Sequence, residues 1–214
     1  MRVCSFFSAM GCFAAAVGWI GLFSGCGARQ AGEDANARGD SSTSERSAMK
    51  ETPEGIARLS VTSPAFTQGE TIPKRHTADG EDLSPELKWD GVPASAKSLA
   101  VICDDPDAPG GTWVHWVIYN ISTDAGGLGE GILREAEPKA PAGAKQGLNS
   151  WPKGNVGYRG PSPPPGKPHH YHFKVFTLDT ALDVPPKKAT RQAVVAAMEG
   201  HVVGQGELVG IYER

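Results

Sequence analysis

The stretch Gly154–Thr180, GNVGYRGPSPPPGKPHHYHFKVFTLDT, joins a Gly/Pro-dense loop to a run of strand-forming residues. In Tyr158–Gly166 the prolines fix φ and remove backbone donors, while the glycines permit turns that other residues resist. A loop of that composition is stiff and shaped, unlike a flexible linker. It delivers His169 and Tyr171 onto one face of the strand that follows, because side chains alternate with a period of two. Phe173 and Val175 continue that face, and His170, His172 and Lys174 occupy the opposite one. A rigid loop that presents a His and a Tyr together is a pattern from which small binding sites are built.

Strand signals dominate on both sides of this stretch. Leu59–Thr62 opens the series, and Leu99–Cys103 is a nearly continuous apolar run, the mark of a strand covered on both faces. Trp113–Ile121 and Tyr171–Leu178 are the longest strand candidates, and Gly204–Glu213 closes the chain. One helix is expected, over Arg191–Glu199: Thr190 is its N-cap, Ala193, Val194, Ala197 and Met198 form an apolar stripe, and Gly200 stops it. Ala125–Asn149 reads as loop. Many strands, long loops and a single late helix predict a mainly β domain.

The N-terminus has a different character. Arg2 is followed by the apolar, small-residue segment Val3–Phe23 and by Leu22-Phe23-Ser24-Gly25-Cys26. Small residues before a cysteine suit a lipoprotein signal peptidase, with the Cys26 thiol to be acylated. A retained signal anchor is the alternative, since about 20 apolar residues can just span a bilayer. Gly11, Gly18, Gly21 and the serines dilute the hydrophobicity and no basic cluster follows, which favours cleavage and lipidation. The expected organisation is a signal peptide over 1–26, a disordered linker over 27–55 rich in Ala, Gly, Ser, Glu and Arg, and a folded domain over 56–214. That predicts a cell-envelope address, with the domain lipid-anchored on the extracytoplasmic side of a membrane.

Of the four cysteines only Cys103 lies in the domain, so no intramolecular disulfide is available there, and its apolar neighbours predict a buried, inert thiol. The net formal charge of −3 becomes −4 once Arg2, the single charged residue of the signal, is removed. No basic stripe marks a nucleic-acid partner.

Chemistry concentrates in three places. Asp104-Asp105-Pro106-Asp107-Ala108-Pro109 follows the apolar run, and in an extended chain Asp105 and Asp107 face the same way. Two such carboxylates could accept hydrogen bonds, share a proton or orient a histidine; a solvated Asx/Pro turn is the plain alternative. A cis bond is expected at Asp105–Pro106 or Ala108–Pro109, at the mouth of the site. On Trp113–Ile121, alternation groups Trp113, His115, Val117 and Tyr119, which leaves His115 as a polar residue on an apolar face with Asp105 or Asp107 as its partner. The third place is His169–His172. A metal reading is disfavoured there, because His170 and His172 point away from His169 and no Glu or Cys ligand has a recognisable spacing. No cofactor signature is present.

The run G-Y-x-G-P-x-P-P followed by H-x-Y-x-F, Gly157–Phe173, resembles the second signature of the phosphatidylethanolamine-binding protein family. Asp105-Pro106-Asp107-Ala108-Pro109 with Trp113-Val114-His115-Trp116 resembles the first. Ser84-Pro85, Leu87–Gly91 and Gly206–Tyr212 match further motifs in the family's order, and the similarity is greatest to its short bacterial branch, labelled Raf-kinase-inhibitor-like. The resemblance implies a large antiparallel sheet packed against a smaller one with few helices. It also implies a pocket for the phosphate of a phospholipid headgroup or a phosphorylated small molecule, with Asp105, Asp107, Trp113, His115, Gly160, Ser162, His169 and Tyr171 at the family's pocket positions. Where the bacterial pattern has Arg, this chain has His170, on the face away from the pocket, so a lost ion pair is expected there. The resulting expectation is a non-enzymatic binding protein. Its rivals are a phosphohydrolase using His and Asp, against which the absence of a metal quartet or G-x-S-x-G argues, and a kinase or protease inhibitor acting through its surface.

Overall fold

The computed structural model describes residues 55–214. The signal segment, Cys26 and nearly all of the linker lie outside the described residues.

The chain runs β1 (Ala57–Arg58), β2 (Ser60–Thr62), β3 (Leu87–Asp90), β4 (Ser98–Asp105), β5 (Trp113–Ile121), β6 (Gly127–Leu128), β7 (Lys145–Gln146), β8 (His169–Leu178), α1 (Arg191–Met198) and β9 (Val202–Tyr212). Six strands form one sheet in the order β1-β9-β8-β4-β5-β7, and β2-β3-β6 form a smaller antiparallel one. The large sheet is mixed where an antiparallel one was expected, because β1 lies parallel to β9, pairing Ala57 with Gly204 and Arg58 with Gln205. Side-chain alternation reports which face is buried and carries no information on strand direction.

Strand β4 is buried along all eight residues, as its apolar run predicts. Leu99, Val101 and Cys103 join Tyr171, Phe173 and Val175 and pack against Val61, Leu87, Trp89 and Leu128 of the small sheet. Ala100 and Ile102 pack with Val117 and Tyr119 beneath Val194 and Met198 of α1. Burial of Cys103 pushes its thiol pKa well up, so it is an inert thiol. The helix has the expected ends: Thr190 Oγ1 accepts from the Ala193 N–H at 3.2 Å, and Gly200 stands at φ +78° beyond its last turn. On this outer face the buried Asp104 accepts from Lys174 Nζ at 2.8 Å and Arg191 Nε at 2.9 Å, tying the helix to the sheet. The span Ala125–Asn149 is mostly loop, but it supplies the two-residue strands β6 and β7.

One irregularity positions the site. Cys103 pairs with Trp116 and Asp104 with Val114, so the register slips and His115 has no partner on β4. Trp116 belongs to the core between the sheets, whereas Val117 and Tyr119 face the helix. Strict alternation predicts that His115 shares a face with Val117 and Tyr119, and the slip overturns that expectation. The bulge turns His115 and Trp116 toward the same side of the sheet.

Candidate functional site

A cavity of about 240 Å³ opens at the ends of β4, β5 and β8. That is below the roughly 300–1,000 Å³ of drug-sized ligand pockets, and suits a headgroup-sized ligand. Its polar side chains are Asp105, His115, Ser162, His169 and Tyr171; its apolar wall is Trp113, Trp151, Ala108, Pro109, Pro163 and Pro164. No lysine or arginine is among these residues.

Each polar group is set by a distinct contact. The His169 Nδ1–H donates to Asp105 Oδ2 at 2.8 Å, with both side chains buried. The other oxygen, Asp105 Oδ1, accepts from the Asp107 N–H at 2.8 Å. This Asx turn reverses the chain without a cis bond: Asp105–Pro106 and Ala108–Pro109 are trans, against expectation, and the cis bond among the described residues is Ala140–Pro141. His115 is 2 % exposed, and its Nδ1–H donates to the Arg159 carbonyl at 2.6 Å. The Arg159 N–H in turn donates to the His115 carbonyl at 2.9 Å, so loop and strand are clamped by one residue on each side. The expected partner of His115, Asp105 or Asp107, is replaced by this carbonyl because Asp105 is committed to His169. Burial lowers the His115 pKa to about 4, outweighing the Arg159 bond and the neighbouring carboxylates.

Tyr171 is 1 % exposed, and its hydroxyl has no hydrogen-bond partner among the described residues. Its ring meets His115 edge-on at 5.0 Å between centroids, and Trp151 meets His115 edge-on at 5.1 Å. Trp113, 37 % exposed, packs edge-on against Trp151 at 5.4 Å and forms the outer rim. A buried phenol without a partner is costly unless a ligand completes it.

The model of the phosphatidylethanolamine-binding protein family matches residues 62–213 of the chain. The chain belongs to the phosphatidylethanolamine-binding protein family. Among relatives of this family member, a UPF0098 protein of Methanothermobacter thermautotrophicus is 49 % identical over 156 residues, covering 73 % of this chain and 99 % of its own. A UPF0098 protein of Aquifex aeolicus is 44 % identical over 164 residues, covering 75 % and 91 %. The crystal structure of a phosphatidylethanolamine-binding protein homologue from Chlamydia trachomatis aligns with TM-score 0.64 at 38 % identity, covering 75 % of this chain and 99 % of that one. E. coli YbcL, described as a new member of the mammalian family, aligns with TM-score 0.68 at 36 % identity, covering 73 % and 98 %.

Of the eight family pocket positions read from sequence, the fold brings Asp105, Trp113, His115, Ser162, His169 and Tyr171 of this phosphatidylethanolamine-binding protein around one cavity. Asp107 and Gly160 lie elsewhere. The Asx turn swings the Asp107 carboxylate outward, where Oδ2 accepts from the His170 N–H at 2.9 Å and its ring N–H at 2.7 Å. Hydrogen bonds from His170 hold the Asp107 carboxyl below the usual range, and this pair stands where a lost ion pair was expected. The Gly160 N–H is already committed to Asp82 Oδ1 at 2.7 Å, so it is a framework contact.

Two contributors escaped the sequence reading. Trp151 sits in an aperiodic Gly/Pro-rich loop with nothing local to mark it. Asp82, at φ +60°, binds Gly160 N–H, Arg159 Nη1 at 2.8 Å and Arg134 Nη2 at 2.6 Å, and thereby anchors the proline loop. The positive φ is a signal Asp tolerates well, but it becomes visible only in three dimensions.

Proposed function

We propose that this family member is a non-enzymatic binding protein whose cavity takes the phosphate of a small phosphorylated ligand or headgroup. The unpartnered, buried hydroxyl of Tyr171, a residue that lines the cavity together with His115 and the Asp105–His169 pair, is the observation that carries this reading. Tyr171 O–H donates to a phosphoryl oxygen, and His169, its ring oriented by the Nδ1–H bond to Asp105, is the second side chain placed to contact the anion. Trp113 and Trp151 cover the ligand's apolar part.

Isothermal titration with phosphoethanolamine tests the assignment. Tyr171→Phe and His169→Ala each lose one bond to an anion, on the order of 1.5–3 kcal/mol or roughly ten- to a hundredfold in affinity. Tyr171→Phe does so without loss of stability, since its hydroxyl has nothing to lose in the free protein. His170→Ala, on the opposite face, leaves affinity unchanged. Equal losses for His169→Ala and His170→Ala, or no binding by the wild type, sink the site; turnover of the ligand reinstates the enzyme.

The domain is proposed to be held at a membrane through diacylglyceryl-modified Cys26. Two or more acyl chains give stable anchoring where one gives marginal binding. Mass spectrometry is expected to find a lipidated Cys26 as the mature N-terminus, and an intact Met1–Cys26 segment refutes the anchor.

A further inference from the structure

The cavity has an unusual electrical composition for an anion site. Its single fixed charge is the Asp105 carboxylate, and no lysine or arginine lines it to offset a phosphate. The Arg159 guanidinium bonds Asp82 through Nη1 and stands 6.0 Å over the Trp151 ring of the cavity wall, with its buried Nε unpartnered among the described residues, so it lies behind that wall and outside the lining. A phosphate dianion placed here would meet the Asp105 carboxylate with no cation in the lining, which is unfavourable at low dielectric.

The hydrogen-bond pattern is equally specific. A carbonyl can only accept, so the bond to Arg159 O at 2.6 Å puts the neutral ring's proton on His115 Nδ1. That leaves Nε2 as an acceptor with no protein donor among the described residues. Tyr171, in edge contact with the same ring, offers a hydroxyl with no acceptor. The cavity thus presents an acceptor beside a donor, and a ligand that satisfies both must carry a proton on one oxygen and a lone pair on another.

Building on the anion-site reading above, we propose that the pocket selects a protonated phosphomonoester, whose P–OH donates to His115 Nε2 while Tyr171 O–H donates to a second phosphoryl oxygen. His115 is the residue that discriminates. A phosphodiester, which has no P–OH, leaves Nε2 unsatisfied, so a free phosphomonoester is preferred over a phospholipid headgroup held in a diester. The groups facing His115 are Asp105 from β4, His169 and Tyr171 from β8, and the Arg159 backbone from the proline loop, with Asp104 and Asp82 more distant. None of them is hydrogen-bonded to Nε2 in the free protein: His169 Nδ1 is committed to Asp105 and the Tyr171 hydroxyl is unpartnered among the described residues. Burial keeps the ring neutral well below the ligand's second ionisation, near ~6, so the shared proton stays on the phosphate.

The test titrates the full chain with methyl phosphate, dimethyl phosphate and a soluble short-chain phosphatidylethanolamine at pH 5.5, 6.5, 7.5 and 8.0. Methyl phosphate is expected to bind at least about tenfold more tightly than either diester at pH 5.5, and to weaken about tenfold per pH unit above about 6.5 as its P–OH is lost. The diesters are expected to stay weak and flat across the range. Because the extra methyl of a diester could act by bulk alone, a second readout is the ¹⁵N signal of His115 Nε2, expected to keep its unprotonated character in free protein and in the methyl phosphate complex at pH 6. Equal affinities, diester binding that strengthens in parallel with monoester binding as pH falls, or an Nε2 that gains a proton on binding, each overturn the selection while leaving the anion site standing. No binding of any probe at any pH overturns both.

Discussion

Between pH 7 and pH 4 the wild-type fold is expected to lose about 3 kcal/mol more stability than a His115→Gln variant does. The folded protein keeps His115 buried and neutral, with its pKa lowered to about 4, whereas an unfolded histidine titrates near ~6.5. Between those values the unfolded chain binds a proton that the folded chain refuses. Stability contributed by the neutral ring is therefore complete above about pH 6.5 and is lost as pH falls to about 4. At about 1.4 kcal/mol per unit, a gap of about 2.5 units is worth roughly 3 kcal/mol. Gln at this position cannot titrate, so carboxylates common to both proteins cancel in the comparison. Urea unfolding of both proteins at each pH measures it, and parallel losses would falsify the assignment of a buried neutral His115.

Gly160→Ala is expected to cost about 3 kcal/mol, although it removes no functional group. A methyl at this position would stand 2.4 Å from the His76 carbonyl oxygen and 2.6 Å from Thr77 Cα. Both are backbone atoms, so neither can rotate away, and overpacking of this kind typically costs 1–3 kcal/mol, occasionally more. Relief requires the loop to lift, which strains the Gly160 N–H bond to Asp82 at 2.7 Å and the Tyr158 hydroxyl bond to His76 O at 2.7 Å. Here glycine supplies close approach and not an unusual φ. If Gly160 were instead a ligand donor, Ala would keep the N–H and leave stability intact. Comparing the urea midpoint with that of Ser162→Ala, whose hydroxyl has no bond among the described residues, separates the two, and equal midpoints sink the close-packing account.

These expectations divide along the line between what was readable in the chain and what was not. Period-two patterning in β8 placed His169 and Tyr171 together and sent His170 to the other face, and the buried pattern of that strand follows it. The same rule failed in β5, where the register slip at Cys103/Asp104 moves His115 off the face of Val117 and Tyr119. A bulge is a property of two strands, set by how β4 and β5 must splay, and neither strand alone encodes it visibly.

Local sequence by itself determined the β-rich class, the fully buried β4, the capped α-helix α1 and the family motifs, because each depends on neighbours a few residues apart. Tertiary structure alone decided the partners. It gave Asp105 to His169 over a separation of 64 residues and His115 to the Arg159 carbonyl over 44. It also turned Asp107 outward to His170 and brought Asp82 beneath the proline loop. Whether a carboxylate meets an imidazole, an amide or water is settled by which long-range contacts the packed core allows, and a buried donor or acceptor takes whichever partner that packing leaves within about 3 Å.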